Sequence, residues 1–120
     1  MQFNQIQFAG RLVKDPEYKE IGTGLAKFSV AVNKSFKNKD GSWGNKTVYM
    51  NDVDLWGKYA KDTADRFNKG QEVFVTGEFD ENEWEQDGQK RKKLIVKVSK
   101  IMSCGSNGST SKDSNDEPDF

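Results

Sequence analysis

Apolar and polar side chains alternate with a period of two along most of this chain, and a helical period interrupts them at one place. That ordering restricts the possible folds more than any other feature. Ile6, Phe8, Gly10 and Leu12 alternate with Gln5, Gln7 and Arg11 until Asp15-Pro16 ends the run. After the turn signal Gly22-Thr23-Gly24, Ala26, Phe28, Val30 and Val32 alternate with Lys27, Ser29 and Asn33. From Thr47 to Trp56, strict alternation puts Tyr49, Val53 and Leu55 on one face and Val48, Met50, Asp52, Asp54 and Trp56 on the other. Between Gly57 and Gly70, Ala60, Ala64 and Phe67 recur at helical spacing, with Lys69-Gly70 as a stop. Glu72 to Phe79 and Lys93 to Ile101 supply two further strands. The segments 37–46 (KNKDGSWGNK) and 80–91 (DENEWEQDGQKR) read as long hairpin loops, with turn signals at Asp40-Gly41 and Asp87-Gly88.

Strand, strand, strand, helix, strand, strand is the order a five-stranded Greek-key OB barrel requires, and other small barrels share the pattern. Residues 1–102 are therefore expected to form one all-β domain with a short helix between the third and fourth strands. A chain of 120 residues with 33% hydrophobic content has room for one small core. From residue 103 to 120 the composition turns to Ser, Gly, Asn and Asp without apolar periodicity, which predicts a disordered acidic tail. The zero formal charge conceals an asymmetry: the body carries 18 basic against 15 acidic side chains, while the tail sets Lys112 against Asp113, Asp116, Glu117 and Asp119. No run approaches the roughly 20 apolar residues that span a bilayer, and the first residues have no signal-peptide pattern. A soluble cytoplasmic protein is expected, with Cys104, the one cysteine, outside any internal disulfide.

Catalysis finds little support. Histidine is absent, Cys104 falls in the tail, and neither a phosphate-binding GxxxxGK[ST] loop nor metal-ligand spacing occurs. No enzyme activity, cofactor or metal is expected, and the acidic run Asp80, Glu81, Glu83, Glu85, Asp87 reads as a solvated loop.

Aromatic residues interleaved with cations are the feature that points to a function. A module that holds unpaired nucleotides needs flat rings along a basic track, because every base presents a face to stack. Trp56 lies opposite Val53 and Leu55 by parity, while Trp43 and Trp84 fall in the two loops, where a large ring is wasteful unless used. Lys34, Lys37, Lys39, Lys46, Lys58, Arg91, Lys92 and Lys93 cluster at loops and strand ends, within reach of phosphates. Arg11 sits inside a strand opposite Ile6 and Phe8, where a guanidinium can pair with phosphate or stack. Phe3, Phe8, Phe28 and Phe67 fit core positions, and Phe74 fits either a base or a subunit interface.

Several blocks, in order, resemble the bacterial and phage single-stranded DNA-binding proteins: Asn4-Gln5-Ile6-Gln7-Phe8-Ala9-Gly10-Arg11-Leu12 with Lys14-Asp15-Pro16-Glu17, then Ala26 to Ser35, Val53 to Lys58 (VDLWGK), Asn68-Lys69-Gly70 and Val73 to Gly77. The resemblance implies an OB fold that binds single-stranded DNA without strong sequence preference, assembled as a homotetramer or a dimer. It places Phe36, Met50, Trp56 and Trp84 at base-stacking positions, with Met50 where the family frequently has tryptophan. Asp52 and Asp54 put acidic groups on a face expected to meet phosphates. The last residues, Asp116-Glu117-Pro118-Asp119-Phe120, resemble the family's acidic tip, which docks on replication and repair proteins; here Asp119 intervenes in the usual Pro-Phe ending. Without DNA the tail is expected to compete for the basic groove. Two rivals remain at this point: an OB module for RNA, and an interaction protein whose tail carries the function.

Overall fold

Alternating apolar side chains build the barrel-facing stretches of six strands, and one short helix breaks their succession. They run β1 (Ile6–Leu12), β2 (Glu17–Lys19), β3 (Leu25–Lys37), β4 (Trp43–Trp56), α1 (Ala60–Asp65), β5 (Glu72–Gln86) and β6 (Gln89–Ser103), in a computed structural model that describes residues 1–104. The ladder order is β1-β5-β6-β4-β3-β2, and an added β1–β3 pairing closes five of these strands into a barrel with β2 appended on β3. This is the five-stranded OB barrel expected from the strand order.

Closure depends on two short pairings. β1 runs beside β5 from Ile6↔Gly77 to Arg11↔Glu72 and touches β3 through Arg11↔Ala31 and Leu12↔Val30. A Cβ at residue 10 would run into the Ala31 carbonyl oxygen, so only glycine lets β1 cross β3 there. On the other side, β4 meets β6 in parallel at Val53↔Val96 and Asp54↔Lys97. Inside, Leu12, Phe28, Val30, Val53, Val73 and Val75 have at most 2% of their surface exposed. Burial of each such side chain contributes about 1.5–3 kcal/mol. Phe67 meets Phe28 edge-on, with centroids 6.1 Å apart and planes at 88°. Ala60, Thr63 and Ala64 of α1 are buried as the helix packs on β3 and β2.

The structure departs from the sequence reading in identifiable places. The segments 37–46 and 80–91 are largely strand: β3 and β4 leave only residues 38–42 as loop, and β5 and β6 run to the two-residue turn Asp87-Gly88. Both turn residues have positive φ, 53° and 76°, as a tight hairpin turn matched to strand twist requires. β2 was not foreseen. The helix stops at Asp65, so Phe67 enters the core from beyond its end; Gly70, at φ 88°, donates its N–H to the Leu12 carbonyl at 2.8 Å and feeds β5. Phe3 is 81% exposed rather than core, while Phe8 is half-buried against the core. β6 continues through Ser103, and the half-buried Cys104 donates its N–H to the Glu72 carbonyl at 3.0 Å, so the barrel extends past the expected boundary at 102. Burial, and then the nearby Glu72 carboxylate, push the Cys104 thiol above its ordinary pKa. The rest of the expected tail lies outside the described residues. Among the described residues, no helix is long and apolar enough to cross a membrane.

The most consequential departure is a bulge in β4. Phe28 pairs with Val53 and Val30 with Met50, so Asn51 and Asp52 together oppose Ser29. The extra residue shifts the alternation. Met50 therefore packs against the core with Val53 and Leu55, not on the Trp56 face as strict parity predicted.

Candidate nucleic-acid interface

From the bulge to the end of β4, Asp52 is partly exposed, Asp54 is buried and Trp56 is exposed, and Lys27 of β3 is the ladder partner of Asp54. Lys27 Nζ lies 2.9 Å from Asp54 Oδ1 and 3.7 Å from Asp52 Oδ1. Lys93 of β6 reaches the same Asp52 oxygen at 2.8 Å, and its ammonium lies 5.8 Å from the centre of the Trp84 ring on β5. A continuous chain of contacts, Asp54–Lys27–Asp52–Lys93–Trp84, thus crosses β4, β3, β6 and β5. Both carboxylates are matched by ammonium groups, and the buried Asp54, 2% exposed, has the partner that a buried charge demands.

Four rings expected to stack bases are solvent-accessible. Trp56 ends β4 with 42% exposure, its ring resting near the Gly22 turn, where a Cβ would sit 3.7 Å from Cζ3. Trp84 is 41% exposed and pairs across the ladder with Arg91. Phe36, 40% exposed, lies over Gly44, and Trp43, 69% exposed, is the ladder partner of Lys37. Trp43 and Trp84 stand on strands rather than in loops. Met50, half-buried, is displaced inward by the bulge, which weakens its case as a stacking surface; it instead lines an open hollow of about 330 Å³ with Val48, Phe79, Leu94 and Ile95.

The expected cations fall into groups. Lys34 and Lys46 are directly opposed across β3 and β4, an unfavourable pairing of like charges that a phosphate between them would relieve. Lys39 sits in the 38–42 loop, where Asp40 accepts from the Ser42 hydroxyl at 2.6 Å and the Ser42 amide at 2.9 Å. Those donors, the hydroxyl foremost, hold the Asp40 carboxyl below its ordinary pKa. Lys92 lies 3.9 Å from Glu81 and 4.0 Å from Glu83 on its own hairpin, an exposed arrangement of small energetic value, so the acidic run is strand surface rather than loop. Lys58 lies 5.2 Å from the Tyr59 ring centre. Arg11 donates to the Gly70 carbonyl at 3.0 Å. Among the described residues, no hydrogen bond or ion pair joins Arg11 or Lys58 to the Lys27–Lys93 chain. The half-buried Phe74 pairs with Ala9 and Met102. Asp116 to Phe120 lie outside the described residues.

Sequence reasoning passed over Lys27, Tyr49 and Tyr59. The two tyrosines are 62% and 64% exposed, and the role of Lys27 depends on its register against Asp54, which no local pattern encodes.

Barrel and face together define a class: an OB-fold module whose outer strands offer rings beside cations. The chain belongs to the single-strand binding protein family, whose model matches residues 3–103. It is 34% identical over 105 residues to the single-stranded DNA-binding protein of Treponema pallidum, covering 86% of this chain and 58% of that protein. Against the single-stranded DNA-binding protein of Aquifex aeolicus the identity is 37% over 95 residues, 78% of this chain and 64% of the relative. The chain thus spans about three-fifths of the length of these curated relatives. Single-stranded DNA-binding protein B of Bacillus subtilis is 39% identical over 87 residues, covering 71% of this chain and 74% of its own. Among solved structures, the wild-type single-stranded DNA binding protein from Thermus aquaticus superposes with a TM-score of 0.76 at 27% identity, over 88% of this chain and 52% of that one. The Plasmodium falciparum protein in its complex with single-stranded DNA superposes at 0.74 over 86% of this chain and 96% of that one; at 22% identity it speaks for the fold alone.

Proposed function

We propose that this chain binds single-stranded DNA without strong sequence preference. Bases stack on Trp56, Trp84, Phe36 and Trp43, while Lys34, Lys37, Lys39, Lys46 and Arg91 meet the phosphates. The observation that carries this reading is the exposure of large rings on ordered strands, two of them with cationic ladder partners: Lys37 beside Trp43 and Arg91 beside Trp84. Each stacked base contributes about 1–3 kcal/mol, so a few rings suffice for tight binding by a body of small net charge. Bound strands are kept from reannealing during replication, recombination and repair. In this reading the protein acts in the cytoplasm as a homo-oligomer, tetramer or dimer, and the acidic tip Asp116 to Phe120 recruits partner proteins, as its composition and the family relationship suggest.

The test is fluorescence polarisation of a labelled oligothymidine with unlabelled single-stranded DNA, duplex DNA and RNA of equal length as competitors. Displacement by the DNA single strand well below the concentrations at which duplex or RNA competes is expected. Equal competition by duplex, or no binding at all, would overturn the proposal.

A further inference from the structure

We infer that Asp52 is a positioning residue for the Trp84 platform, holding the Lys93 ammonium that backs one face of the indole. The inference rests on the reading that this face binds single-stranded DNA. Its starting point is where the barrel strands part. β4 and β6 pair through their backbones at Val53↔Val96 and Asp54↔Lys97. Beyond that seam, the hairpin carrying Trp84 pairs with itself, through Asn82↔Lys93 and Trp84↔Arg91. The Lys93–Asp52 ion pair, at 2.8 Å, is a side-chain link from this hairpin to the barrel just past the seam.

The bulge gives Asp52 its position. With Asn51 it shares the place opposite Ser29, its side chain is partly exposed, and Lys27 lies 3.7 Å away on the barrel side. Lys27 is itself engaged more closely by Asp54, at 2.9 Å, so the stronger pairing of Asp52 is with Lys93. An ammonium has three donors, and one spent on Asp52 fixes the group while the others remain for a phosphate. That fixed ammonium, 5.8 Å from the Trp84 ring centre, is attracted to the electron-rich face and occupies it. A base then takes the opposite face of a ring already held in place, which lowers the ordering cost of binding.

The sign of one substitution separates this account from bulk electrostatics. An anion beside a path for DNA repels phosphate, so its removal should tighten binding; if Asp52 positions Trp84 through Lys93, its removal weakens binding. Oligothymidine affinity is measured for the full chain and for Asp52→Asn, Lys93→Gln and the double variant. A loss of roughly three- to tenfold is expected for Asp52→Asn, with the double variant no weaker than Lys93→Gln alone. Equal or tighter binding by Asp52→Asn, or losses that multiply in the double variant, overturns the inference.

A second readout needs no DNA. In a Trp43→Phe/Trp56→Phe background, Asp52→Asn should make Trp84 emission more accessible to acrylamide, and unchanged quenching overturns the inference. If the full chain fails to bind oligothymidine while quenching rises, the DNA-binding reading fails and the positioning of Trp84 stands. If the chain binds and Asp52→Asn is no weaker, the inference alone fails.

Discussion

The Phe36 ring lies across Gly44 of the neighbouring strand so closely that a Cβ on residue 44 would come within 2.7 Å of two ring carbons. Ring and glycine are directly paired near the end of the β3–β4 hairpin, where an aromatic side chain covers a position that has none of its own. Gly44 lies at negative φ, so alanine meets no backbone strain there, and its methyl group displaces the ring instead. Gly44→Ala should therefore weaken oligothymidine binding by no more than Phe36→Ala does, with little change in melting temperature. Polarisation titrations and thermal melts of the two variants check this.

Trp56→Ala and Trp84→Ala should each weaken single-strand binding by about 1–3 kcal/mol, roughly 5- to 150-fold. The slope of affinity against salt should change little, since neither ring meets a phosphate. Titrations at several salt concentrations separate this outcome from the loss of a cation, which lowers the slope by about 0.7 per phosphate contact.

Lys27→Met should destabilise the barrel by about 3 kcal/mol, because it leaves the carboxylate of Asp54, with a side chain 3% exposed, without its ammonium. Adding Asp54→Leu should recover much of the loss by removing the stranded charge. Urea denaturation midpoints of the single and double variants measure both effects.

The loop between β3 and β4 should loosen in acid. Asp40 accepts from the Ser42 hydroxyl and amide, and its carboxyl pKa is lowered below the ordinary 3.8. A depressed folded-state value means that the loop is stabilised above the ordinary value and loses that contribution as pH falls through the lowered one. Ser42→Ala should move the Asp40 titration back up. A carboxyl NMR titration of both proteins reads the shift.

Much of the barrel was visible in the chain because alternation reports one-sided burial. Ile6 to Leu12 and Ala26 to Val32 present an apolar face to a core, and both read correctly as strands. The same logic hides the hairpin arms. Residues 80–91 are exposed on both sides, so Trp84 stands as one apolar residue in a polar run, with no repeat to report a strand even though it lies on β5. The three-residue β2 is too short to show a period. The bulge at Asn51 and Asp52 defeated strict parity for Met50, since an extra residue is visible only once β4 is laid against β3. Trp56 was legible because no irregularity separates it from Val53 and Leu55, so their parity correctly puts it on the opposite face. The pairing of Asp54 with Lys27 and of Asp52 with Lys93 spans 27 and 41 residues, and no local pattern carries it.

Whether bases stack on these rings is read most directly from intrinsic tryptophan fluorescence during titration with an unstructured oligothymidine, at low and then high salt, with duplex DNA as control. Strong quenching by the single strand, little by the duplex and modest salt dependence are predicted. An emission spectrum untouched by the single strand would mean that the exposed face of this barrel serves some end other than DNA.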